Sequence, residues 1–115
     1  MVIALTLEPF DYVAESDRKA KPDVTHFSLR VLNAPEFQEV NDMMLEGGAK
    51  SIGWVNKALE YGLCGWSNLG DGKGGEVKFA GDKMGCISKI PGLVRMELAN
   101  EIAMRSQLNE DQEKN

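Results

Sequence analysis

The chain has 115 residues, 43% of them hydrophobic and 27% charged, with a formal net charge of -5. That length suits one domain with a modest core and little surplus stability. No basic cluster is longer than Arg18-Lys19-Ala20-Lys21; without a cationic face to neutralise phosphates, nucleic acid is excluded as a partner, and a protein or peptide is the default.

At the N-terminus, residues 2–7 read as an edge strand or a loosely held arm. This run has no basic flank and stops at Glu8-Pro9. It is too short for a signal segment or a membrane span, so no membrane association is expected. Residues 9–22 turn polar after Tyr12 and Val13 and suit a flexible connection. Residues 1–22 therefore form an arm, residues 23–108 one globular domain, and residues 109–115 a polar, flexible tail.

Between residues 23 and 32, Val24, Phe27, Leu29 and Val31 mark a half-buried strand, with His26 on its surface. A helix follows with clear punctuation. Asn33 is placed as N-cap, Glu36 completes a capping box, and Pro35 sits where no N–H is needed. Leu32 and Phe37 are set as a hydrophobic staple. Phe37, Val40 and Met44 form the apolar stripe, which Gly47-Gly48 ends.

The next helix, residues 49–61, has Ile52, Val55 and Leu59 on one face. Trp54 and Tyr61 lie on nearly the opposite face with Ala58 between them. A helix apolar on two sides is either sandwiched in the core or offers its second face to a partner. Both readings stand: Trp54 closes over the core, or Trp54 and Tyr61 anchor another subunit. Gly62 is placed as the residue that ends this helix in a left-handed turn, with Leu63 as the apolar residue after it.

Nine of the chain's 12 glycines lie between Gly62 and Gly92, a region built of turns. Gly70, Gly72 and Gly75 spell G-x-G-x-x-G, but the fingerprint needs a following helix to face a pyrophosphate. Residues 76–80 alternate like a strand instead, so the sequence predicts a hairpin of residues 65–69 with residues 76–80. Asp82 is placed to cap a short helical turn through Ile87. Pro91 opens the last helix, whose apolar line is Val94, Leu98 and Ile102, widened by Ala99 and Ala103.

The expected fold class is α+β: helices dominate, with an N-terminal strand or hairpin and a short Gly-rich central β-hairpin. Its chemistry is sparse. Cys64 and Cys86 are expected as reduced, buried thiols of a cytosolic protein. One His and two Cys cannot complete a four-ligand zinc site without carboxylates, so neither metal nor cofactor is expected. Glu97 and Glu101, one turn apart, read as a solvated face rather than an acid pair. No nucleophile has a base within motif spacing, and a catalytic site is not expected.

The order of segments resembles a family. A strand of the form Val-x-x-Phe-x-Leu-Arg-x-Leu (residues 24–32) precedes two helices. Then come Leu63-x-Gly65-Trp66-x-Asn68, an Asp-and-Gly turn, Val77-x-Phe79, and Ile90-Pro91 leading to Glu97-Leu98-Ala99. This order, across residues 22–113, is similar to the tail assembly chaperones of long-tailed bacteriophages. The resemblance implies a non-enzymatic protein of the infected bacterial cytoplasm, absent from the finished virion. Its implied partners are the tape-measure protein, which it coats and keeps soluble, the tail-tube protein, and further copies of itself in a spiral. A small phage-encoded inhibitor docking on a host protein is the alternative. The candidate interface residues are Trp54, Tyr61, Met43, Met44 and Trp66, since methionine repacks around varied apolar partners, although methionines also fill cores.

Overall fold

The computed structural model describes residues 9–15, 24–46, 53–70, 75–80 and 82–114, with side chains as far as residue 107. The expected edge strand at residues 2–7, Ile52 and the tip of the Gly-rich turn lie outside them. The fold is α+β, and helices dominate. In chain order come β1 (Phe10–Tyr12), β2 (His26–Leu29), α1 (Ala34–Glu46), α2 (Gly53–Gly62), β3 (Leu63–Ser67), β4 (Leu69–Gly70), β5 (Glu76–Val77), α3 (Lys83–Ser88) and α4 (Gly92–Lys114).

β1, β2 and β3 form an antiparallel sheet in that order, and β4 pairs with β5 in a separate hairpin. This corrects the pairing expected for residues 65–69. Residues 65–67 belong to the main sheet beside β2, and only Leu69 and Gly70 pair with Val77 and Glu76. The strand after Gly75 stands as expected, although shorter, so a strand and not a helix directly follows that glycine. β1 also falls within the segment expected to be a flexible connection.

A bulge in the β2–β3 ladder explains why β3 left its predicted partner. Phe27 pairs with Trp66 and Ser28 with Gly65, but Leu29 pairs with Leu63. Leu63 and Trp66 have opposite parity along a regular strand and would point to opposite faces. The extra residue, Cys64, brings both onto the face of Phe27 and Leu29. Phe27, Leu29 and Leu63 are buried, and the Trp66 ring meets Phe27 edge-on at 6.5 Å. Cys64 is left exposed, whereas Cys86 is buried with its thiol 3.3 Å from the Ala80 carbonyl. Both cysteines are free, so the expectation of two buried thiols holds for Cys86 alone.

The start of α1 matches its sequence signature. The Glu36 N–H donates to Asn33 Oδ1 at 3.0 Å, and the Asn33 N–H donates back to Glu36 Oε1 at 3.0 Å. Arg30, just past β2, ties this box to the sheet with two 3.0 Å bonds to the Glu36 carboxylate. At α3, Asp82 accepts from the Gly85 N–H at 2.9 Å, the expected cap.

Gly62 ends α2 for a reason other than a left-handed turn. A Cβ there would lie 2.7 Å from Ile102 Cδ1 and 3.0 Å from the Arg30 carbonyl oxygen. Glycine lets α2, α4 and the end of β2 meet, and the Arg30 N–H donates to the Gly62 carbonyl at 2.8 Å. The core gathers here: Val55, Ala58 and Leu59 of α2, Leu98, Ala99 and Ile102 of α4, Ile87 and Ile90, and the inner face of the sheet. The α4 backbone stays helical to Lys114, through the residues assigned by sequence to a tail.

Glu97 and Glu101 are more engaged than a solvated face requires. Glu97 Oε2 accepts from the Tyr12 hydroxyl at 2.6 Å and the Glu15 N–H at 2.9 Å. Glu101 accepts from Arg105 Nε at 2.6 Å, and that guanidinium stacks 4.0 Å over the Phe10 ring. Together they strap β1 and the turn after it to α4. His26 is exposed on β2, with Nδ1 2.9 Å from Asp11 Oδ2.

Candidate functional site

The five residues singled out by sequence occupy two places. Met43, Met44, Trp54 and Tyr61 belong to the α1–α2 pair, whereas Trp66 belongs to the sheet and hairpin. All are half-buried. Met44, Trp54, Tyr61 and Trp66 pack on the margin of the core cluster. Met43 Cε lies 3.2 Å from where a Cβ would stand on Gly53, over the start of α2.

Tyr61 carries the polar part of this face. Its hydroxyl donates to Glu39 Oε1 at 2.7 Å, and Lys57 Nζ sits 5.4 Å from its ring centroid. Lys57 also pairs with Glu39 at 3.3 Å and Glu60 at 3.4 Å. The Tyr61 hydrogen bond, then Lys57, pulls Glu39 below the ordinary carboxylate value. The same bond raises the Tyr61 phenol, and Glu39 then Glu60 raise the Lys57 ammonium. The network ties α1 to α2 through partly exposed groups.

Trp66 holds the hairpin. Its Nε1–H donates to the Val77 carbonyl at 2.8 Å, and its ring meets Phe79 edge-on at 4.8 Å. Two residues on, Asn68 adopts φ of 61°, a left-handed conformation that asparagine tolerates better than most residues. Its side chain donates to the Val24 carbonyl at 3.1 Å, and Thr25 Oγ1 donates to the Asn68 carbonyl at 2.9 Å. The Gly-Trp-x-Asn motif therefore turns the chain out of the sheet and into the hairpin.

Sequence reasoning missed exposed apolar side chains on α4. On α4, Leu93 is 85% exposed, Met96 44% and Met104 54%. At 100° per residue these three fall within about 80° of arc, opposite the buried line of Leu98 and Ile102. The spacing was legible, but the inner face of α4 is the more regular pattern and drew the reading. At its N-terminal end the row borders a cleft of about 440 Å³ lined by Val55, Asn56, Gly92, Leu93, Arg95 and Met96.

Among the described residues, no three His, Cys, Asp or Glu side chains group as metal ligands, and no helix is long and apolar enough to cross a membrane. No protein-family model, curated protein or solved structure matches this chain.

Proposed function

We propose that this chain is a non-enzymatic binding protein that shields apolar helical segments of a partner, in the manner of the tail assembly chaperones it resembles. The observation that carries this reading is the outward row of Leu93, Met96 and Met104 on α4. Flexible, unbranched methionines beside leucine accommodate differing apolar partners, where a rigid aromatic patch would select one shape. In this reading the partner is a tape-measure protein in the cytoplasm of an infected bacterium. Tail-tube subunits and further copies of this chain assemble around it, and the chaperone leaves before the virion is complete. Trp54 and Tyr61 on α2 supply the contact between copies.

Co-expression tests it. The tape-measure protein of the same genome should stay soluble and co-purify with the wild-type chain, and should be lost with a Met96→Asp/Met104→Asp double variant that keeps its circular dichroism. A wild-type chain that neither rescues nor retains the tape-measure protein overturns the reading. Recovery of one host protein in its place favours the inhibitor.

A further inference from the structure

We draw no further inference here: the strongest candidate, the apolar cleft between α2 and α4 lined by Val55, Leu93 and Met96, adjoins the surface already described, and nothing in the structure shows what covers it.

Discussion

Gly62 and Ile102 touch at a distance that no larger residue than glycine allows. A Cβ on Gly62 would stand 2.7 Å from Ile102 Cδ1 and 3.0 Å from both Ile102 Cγ2 and the Arg30 carbonyl oxygen. The isoleucine could yield by changing rotamer, but the carbonyl is backbone, and its residue is held against Gly62 by the Arg30 N–H. Replacing glycine by alanine inside a helix ordinarily stabilises by about 0.5–1 kcal/mol. Here the sign reverses. Gly62→Ala should cost about 1–3 kcal/mol through overpacking, read as a lower urea midpoint at unchanged slope. A midpoint equal to or above wild type would show that α2 and α4 have slack at this crossing.

A second junction depends on one hydroxyl. Ser106 is buried, and its Oγ accepts from the Leu32 N–H at 2.8 Å while donating to the Ile102 carbonyl at 2.6 Å. Ser106→Ala keeps the α4 backbone but leaves the buried Leu32 amide without an acceptor. The expected loss is about 1–3 kcal/mol, the desolvation cost of an unpaired donor. Amide exchange at Leu32 should accelerate more than exchange at Leu59, and equal acceleration at both would contradict a local role.

Glu36 makes the fold sensitive to acid. The hydrogen bonds from Arg30, followed by the Asn33 N–H and the Arg30 charge, outweigh burial and hold its carboxylate below the ordinary 4.5. The unfolded chain takes up this proton first as pH falls. Stability contributed by Glu36 is therefore complete above about pH 4.5 and is lost as pH drops through the lowered native value. Melting temperatures from about pH 6 to about pH 3 should fall less steeply for Glu36→Gln than for wild type, from a lower starting point. Parallel curves would remove Glu36 from the acid response.

Trp66 separates packing from hydrogen bonding in the hairpin. Trp66→Phe keeps an aromatic ring against Phe27 and Phe79 but removes the donor to Val77. A loss of about 0.5–1.5 kcal/mol is expected, the net worth of one hydrogen bond. Hydrogen exchange should rise at the paired residues Leu69, Gly70, Glu76 and Val77 while α2 keeps its protection. Unchanged exchange in the hairpin would mean that the edge-on ring contacts alone hold it.

Local chemistry was the legible part of this fold. The Asn33–Glu36 box, the Asp82 cap and the inner line of α4 are set by residues within a few positions of one another, and each formed as its sequence reads. Pairing over long separations was not legible. Nothing near residue 65 announces that β3 must lie against β2, because the bulge at Cys64 makes sense only once Phe27 and Trp66 face each other. Gly62 was recognised as a helix end, but its cause, the approach of Ile102, lies 40 residues along the chain. At the candidate surface, the sequence brought forward the aromatic residues of α2 and passed over Leu93, Met96 and Met104.

The seam between α4 and the rest of the core bears on how the molecule is made. Leu98 and Ile102 pack into one core with residues of β2, α2 and β3, and the Ser106–Leu32 bond spans 74 positions. While the ribosome is still adding residues before 98, Leu29, Leu59 and Leu63 have no lid. The domain thus reaches its native state only after its last helix is available, and contacts of such separation form slowly. Until then the nascent chain carries its own exposed apolar surface, and the strap from Glu97 to Tyr12 likewise needs α4 to be present.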